Sequence, residues 1–191
     1  MMNPQMTSEI LELLQYQFDM IQLMHRKVTL PYPCALDLHC RYTRDEILAA
    51  FGVATEDEMP TFREGVKYME KLKTDLFFIT LNKSEKDYSQ TTMYEDYAIS
   101  DTLFHWQSQS TTSDTSPTGQ RYINHKKTHN KVLLFVREYK KADDFTAPYH
   151  FLGPANFIKY ENSRPMSITW RLDNPMPAQL WKETGKLVVG G

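Results

Sequence analysis

Cysteine and glycine are both scarce in this chain of 191 residues, which contains 2 Cys and 7 Gly. Cys34 and Cys40 fit no zinc-ligand spacing, even with His39 beside the second of them, so free thiols in a reducing compartment are expected. The chain has no glycine-rich phosphate loop, no nucleophile elbow and no His-Glu-x-x-His sequence. The sequence therefore predicts neither a metal site nor a cofactor.

Long apolar runs are also missing, because no stretch approaches the roughly 18 to 20 residues that a membrane-spanning helix needs. The first seven residues lack the basic-then-apolar pattern of a secretion signal. We therefore expect a cytoplasmic protein with no membrane partner. The net charge of −2 gives no overall attraction to nucleic acid, so any DNA contact must use local basic patches.

What the chain does contain is typical of a folded protein, with 41% apolar and 13% aromatic residues. We divide it into residues 1–35, an N-terminal helix with a proline-rich connector, and residues 36–191, a single domain. The helix is capped by Thr7 or Ser8 and should end near Arg26 or Lys27. Its apolar stripe is Ile10, Leu14, Ile21 and Met24. The stripe packs either on the chain's own core or on a neighbouring domain.

Short apolar and alternating runs predict six or seven strands with few helices. The strands are expected at residues 62–68, 75–81, 103–109, 131–137, 149–159 and 165–172, with 120–127 as a hairpin arm turning near His129. A capping box at Thr43 and Glu46 predicts a helix that stops at Gly52, and another helix is expected over 178–184. This pattern indicates an α+β fold: a small curled β-sheet or barrel with a few peripheral helices.

The stretch from Tyr94 to Gln109 is the main candidate for function. Two large aromatic side chains, Tyr94 and Trp106, lie at its two ends beside an acid and several amides, and a polar loop is expected over 110–124. These groups are suited to hold a flat heterocycle between two rings, with a carboxylate and amides along its edge. The alternative is a strand with ordinary aromatic packing and a solvated acidic turn.

Basic residues and one acid–base pair give two further candidates. Lysines at 67, 83 and 86, and the group around Arg121, His125 and Lys126, are suited to contact phosphates or simply to solvate the surface. Glu138 and Lys140 form a Glu-x-Lys pattern found in metal-dependent nucleases, with Asp101 or Asp114 as a possible second acid. A solvated pair at a strand end is the alternative.

Several long runs resemble a domain of unknown function at the C-terminus of bacterial fusions that combine a phospholipase-D-type nuclease with a DEAD/DEAH helicase. The resemblance covers about residues 36 to 185. Its runs are residues 41–52, 62–68, 74–88, 103–109, 116–123 and 151–155. It implies that the domain reads modified cytosine for a type IV, modification-dependent restriction system, with helicase and nuclease domains as partners.

The segment that begins Tyr94-Glu-Asp is also similar to the SET- and RING-associated (SRA) domain, which has a PUA-like fold and flips 5-methylcytosine into a pocket between two tyrosines. Here Trp106 replaces the second tyrosine, Asp96 stands one place before the expected acid, and Thr92-Met93 replaces paired glycines. The implied base pocket is Tyr94, Asp96, Tyr97, Trp106, Gln107 and Ser108. The implied DNA contacts are Lys67, Lys83, Lys86, Tyr88, Gln109, Gln120, Arg121, His125 and Lys126.

Together these observations favour a DNA-binding reader that flips 5-methylcytosine or 5-hydroxymethylcytosine and has no catalysis of its own. Its partner is double-stranded DNA that carries a modified base, in a restriction system directed against phage. Two alternatives remain at this point. One is a metal-dependent nuclease that uses Glu138 and Lys140, and the other is a protein-interaction module of a helicase complex.

Overall fold

The computed structural model of the chain describes residues 6, 9–12, 26–55, 65–82, 96–142 and 145–184. Residues 9–12 are helical, and most of the predicted N-terminal helix lies outside the described residues. Its predicted end is wrong, because Arg26–Lys27 forms a short strand, β1, paired antiparallel with β2 at Asp37–Leu38. Within the described ranges, no helix combines the length and apolarity needed to cross a membrane.

An open sheet of eight strands forms the body of the fold, in the order β4-β5-β8-β11-β12-β7-β6, with β3 paired to β11. The strands are β3 (Arg41–Tyr42), β4 (Val66–Met69), β5 (Thr74–Asn82), β6 (Tyr97–Ala98), β7 (Leu103–Gln107), β8 (Lys131–Tyr139), β11 (Tyr149–Glu161) and β12 (Ser167–Leu172). Strands β9 (Lys141–Ala142) and β10 (Phe145–Thr146) form a separate pair. The sheet confirms the predicted α+β class with a small curled sheet.

Strand β8 is central, as its apolar sequence predicted. It lies parallel to β5 and antiparallel to β11, and residues 132 to 137 are all buried. One side of the sheet packs on a core around Phe77, Trp106, Tyr122 and Trp170. The other side packs under helix α1 (Arg44–Ala50), which has the predicted capping box at its start. The two strands β5 and β8 therefore separate two hydrophobic cores.

Strand β11 connects the two halves of the sheet because it bends at the predicted Gly-Pro interruption. Gly153 has φ +88°, and the pairing register shifts between Phe151 and Gly153. Strand β11 pairs with β3 before the bend, with β8 as far as Pro154, and with β12 from Ala155 onward. A side chain at 153 would have its Cβ 2.5 Å from Leu38 Cδ1, so glycine is needed for the close approach as well as the turn.

Residues 120–127 do not form the hairpin arm that the sequence predicted. Helix α2 spans Pro117–Ile123, inside the predicted loop over 110–124, and Ser116 caps it by accepting a hydrogen bond from the Gly119 N–H at 3.1 Å. Serine followed by proline at the first helical position is a recognised helix start signal, and it explains why a helix and not a strand begins here. The backbone of Gly119 packs directly against that of Ser113. A Cβ added at 119 would lie 1.9 Å from the Ser113 carbonyl oxygen. The last helix, α3, spans Ala178–Thr184 as predicted.

Candidate functional site

The predicted stacking pocket does not form around Trp106. Tyr94 lies outside the described residues, and the Trp106 side chain is only 5% exposed. Its ring centroid lies 4.3 Å from that of Phe77 and 5.6 Å from that of Tyr122, so the indole is part of the hydrophobic core. A ring packed in this way offers no free face for a nucleobase.

The other described residues of the predicted pocket make contacts that hold neighbouring strands of the sheet together. The Asp96 carboxylate accepts a hydrogen bond from the Gln107 N–H at 2.9 Å, and the Ser108 hydroxyl accepts one from the Met166 N–H at 2.8 Å. Ser108 is fully buried, and Tyr97, which is half-buried, stacks on His105 with ring centroids 4.7 Å apart. These contacts join β7 to its two neighbours, β6 and β12, which is a structural role.

The predicted DNA contacts divide into three groups. Lys83, Lys86 and Tyr88 lie outside the described residues. The second group, Lys67, Gln109, Gln120, Arg121 and Lys126, is at least partly accessible to solvent. The third group is His125 alone, and the prediction is wrong for it because this side chain is buried.

His125 is held as a neutral ring inside the fold. Its Nδ1 lies 3.2 Å from the Asn130 carbonyl oxygen, and its Nε2 accepts a hydrogen bond from the Phe157 N–H at 3.0 Å. The proton therefore sits on Nδ1. Burial lowers the pKa of His125, and the nearby charges of Lys126 and Lys131 lower it further. A neutral, buried imidazole makes no phosphate contact.

A cleft of about 390 Å³ beside helix α2 brings two of the predicted DNA contacts together, and we call it the α2 cleft. It is built from the end of β4, the turn before β5, helix α2 and the turn that leads into β8. Its lining residues are Tyr68, Lys73, Pro117, Gln120, Arg121, Asn124, Thr128 and Asn130. The cleft therefore combines an aromatic ring, two cations, several amides and one hydroxyl.

Arg121 is fixed in the wall of this cleft from two directions. Its Nε and Nη2 donate hydrogen bonds to the buried carboxylate of Asp75 at 2.9 to 3.2 Å, and its Cζ lies 3.9 Å from the centroid of the Tyr68 ring. Burial opposes the charge on Arg121, but hydrogen bonds and attraction from Asp75 outweigh burial and raise its pKa. The guanidinium is thus a rigid, charged plane with 22% of the side chain exposed.

Asn130 places an unsatisfied acceptor at the same site. Its Nδ2 donates to Asp75 Oδ2 at 2.7 Å and to the Lys131 carbonyl at 3.2 Å. Because both partners can only accept, the orientation of the amide is settled, and Oδ1 faces the other way. Asn130 is 3% exposed, and its Oδ1 has no hydrogen-bond partner in the described part of the chain. This oxygen is itself buried, so its missing partner is a cost to the fold and not a contact offered to a ligand.

Three members of this arrangement, Tyr68, Asp75 and Asn130, were not recognised in the sequence. One signal was present: Asp75 opens a run of buried apolar residues, and a carboxylate in that position needs a charged or donating partner. The partners lie 46 and 55 positions further along the chain, so the sequence did not identify them.

The Glu-x-Lys pair lies at the end of β8, where Glu138 is exposed. One proposed second acid, Asp114, accepts hydrogen bonds from the hydroxyl groups of Tyr160 and Ser163. In the described ranges, no group of three or more His, Cys, Asp or Glu side chains is arranged to hold a metal ion.

Comparison with known families gives one match. The family model described as a domain of unknown function, DUF3427, matches residues 36–184. No curated protein matches the chain. The matched range begins just before β2 and ends with α3, so it includes every strand of the main sheet and the whole α2 cleft.

Proposed function

The chain belongs to the family of the domain of unknown function DUF3427, and we propose that it binds double-stranded DNA and recognises a modified base. The proposed base is 5-methylcytosine or 5-hydroxymethylcytosine. In this proposal the domain has no catalysis of its own and directs the helicase and nuclease domains of a modification-dependent restriction system in the cytoplasm. The sequence resemblances to such fusions and to the SRA domain support the role.

The α2 cleft is the observation that carries the proposal. A flipped base needs a flat surface to stack on and polar groups along its edge. The cleft offers the plane of Arg121 over Tyr68, and its amides come from Gln120 and Asn124. The oxygens of these two amides are suited to accept from the amino group of cytosine, as acceptors in other readers do.

The free energies of base flipping and stacking permit this role. The small contribution of one methyl group limits the preference for a modified duplex over a plain one. Flipping costs a few kcal/mol, and stacking on an aromatic or guanidinium plane recovers about 1–3 kcal/mol. One buried methyl group adds about 0.8 kcal/mol, which corresponds to roughly a fourfold preference. A modified duplex should therefore bind several times more tightly than a plain one. Most of the binding free energy should be the same for the two duplexes.

Replacement of Gln120 and Asn124 together by alanine should remove that preference. Both side chains lie at the rim of the cleft, and neither is part of the hydrophobic core, so the fold should persist. We expect the ratio of dissociation constants for plain and 5-methylcytosine duplexes to fall from several-fold to about one. Fluorescence anisotropy with matched duplexes measures this ratio.

Lys126→Ala is the matched control. Lys126 is exposed, three residues beyond the end of α2, and is suited to a phosphate contact. Its loss should weaken binding to both duplexes equally and reduce the salt dependence by about one counterion, with the ratio unchanged. An unchanged ratio of the two dissociation constants in the Gln120/Asn124 variant would contradict the proposal that the α2 cleft recognises the base.

A further inference from the structure

A second cavity, of about 200 Å³, lies at the opposite end of β8 and includes Glu138, one of the two residues of the nuclease alternative. We call it the Arg137 cavity. Its titratable lining consists of Arg41, Arg137, Glu138, Tyr139, Lys141 and His150. With three cations, one carboxylate and a histidine taken as neutral, the formal charge of this lining is +2.

Arg137 is the unusual member because it is buried and has no counter-ion among the residues that the structure describes. The residue is 6% exposed. Its Nε donates to the Thr80 hydroxyl at 2.9 Å, its Nη1 donates to the Ala147 carbonyl at 3.1 Å, and its Cζ lies 4.3 Å above the Tyr149 ring. All of these partners are neutral, and no carboxylate within the described ranges pairs with it. Burial of an unpaired guanidinium is unfavourable unless an anion is bound nearby.

Arg41 and Lys141 add positive charge at the exposed rim of the same cavity. Arg41 Nε donates to His150 Nε2 at 2.9 Å, so this imidazole nitrogen carries no proton. The bond fixes the Arg41 side chain through Nε and leaves its two terminal nitrogens without a hydrogen bond to any described residue. Two arginines and a lysine therefore line one small cavity.

From this geometry we infer that the Arg137 cavity is a binding site for a phosphate group. Guanidinium groups bind phosphate oxygens with paired, charge-assisted hydrogen bonds, and the bound anion would supply the counter-charge that Arg137 lacks. The contrast with Arg121 supports the assignment. Arg121 already has its carboxylate in Asp75, whereas the partners of Arg137 in the described ranges are all neutral.

This site is separate from the α2 cleft and does not depend on base recognition. Lys131, at the start of β8, follows the cleft residue Asn130, and Arg137 lies six residues further along the strand. At about 3.3 Å per residue the two sites are roughly 20 Å apart. The phosphate group belongs either to a DNA backbone or to a free phosphorylated compound, and experiment distinguishes these sources.

The first arm of the test uses inorganic phosphate and the full chain. Thermal unfolding is followed while phosphate replaces chloride at constant ionic strength, because bound ligand raises Tm in a saturable way. The site variant is Arg41→Ala with Lys141→Ala. The control is Lys71→Ala with Lys127→Ala, which removes the same charge from exposed positions outside the lining of the cavity. The control also accounts for the general stabilisation that phosphate gives to all proteins.

We expect a saturable rise in Tm for the natural chain and the control, and less than half of that rise for the site variant. The second arm measures affinity for a plain duplex at several salt concentrations. If the phosphate is part of DNA, the site variant binds at least tenfold more weakly at low salt, and its salt slope is smaller by one to two.

Loss of the phosphate response with unchanged DNA binding would also support the site, with a free phosphorylated compound as its ligand. Equal phosphate responses in the site variant and the control would overturn the proposal. Because the first arm contains no DNA, it gives a result even if the chain proves not to bind DNA.

Discussion

Trp106→Ala should lower the free energy of unfolding by about 3–5 kcal/mol, the usual cost of truncating a buried aromatic side chain. The indole is 5% exposed and packs against Phe77 and Tyr122. Its removal would leave a cavity where β7 joins the core, next to the edge strand β6. Urea denaturation followed by far-UV circular dichroism measures the loss without relying on tryptophan fluorescence.

Trp181→Ala is the matched control, because this residue lies on α3 and is 40% exposed. We expect its effect to be less than half as large. The opposite pattern would contradict the structural role of Trp106. If Trp106→Ala left stability unchanged but abolished the preference for a modified duplex, the ring would belong to the binding surface.

Arg121→Ala should have an effect of similar size, for an electrostatic reason. The substitution leaves the fully buried carboxylate of Asp75 with Asn130 as its remaining side-chain donor, and removal of one member of a buried pair costs about 3–5 kcal/mol. It also removes the guanidinium that stacks on Tyr68. Chemical denaturation should show the loss of stability, and DNA binding should be lost at temperatures where the variant is still folded.

The exposed pair between Lys159 and Glu161 provides the comparison. Its charged atoms are closer, at 2.6 Å, but the side chains are 61% and 65% exposed, so Lys159→Ala should cause no measurable change in stability. Addition of Asp75→Asn to Arg121→Ala should recover part of the lost stability, since the buried charge is then removed. If Arg121→Ala proved as neutral as Lys159→Ala, the pair would not hold the cleft together.

The elements that local sequence determines were predictable. The Thr43 capping box, the doubly apolar strand β8 and the Gly153 bend all lie where their residues indicated. Helix α2 was missed although its start signal, Ser116 before Pro117, is also local. The polar composition of residues 110–124 predicts a loop, and a seven-residue helix has too few turns to show a clear period.

The candidate site was harder to predict because long-range contacts form it. The side chains of Tyr68, Arg121 and Asn130 come from three separate segments, and the parallel pairing of β5 with β8 brings those segments together. Trp106 shows the reverse problem. An aromatic residue that alternates on a strand fits both a ligand pocket and a core, and only the position of Phe77 against it decides between them.

The two proposed sites give complementary functions to the two ends of β8. The α2 cleft has its main charge balanced by Asp75 and offers directional polar groups, which suits recognition of a base edge. The Arg137 cavity has an excess of positive charge, which suits binding of a phosphate without regard to sequence.

Placement of the modified base in the α2 cleft is the central claim, and site-directed cross-linking tests it most directly. Cys34 and Cys40 are replaced by serine, and a single cysteine is introduced by Gln120→Cys or, as the control, by Lys182→Cys on α3. The duplex carries one cytosine with an activated thiol on a short tether at C5. We predict a disulfide in high yield at position 120 and almost none at position 182. Equal yields at both positions, or no cross-link at position 120 under conditions where the duplex is bound, would contradict the account.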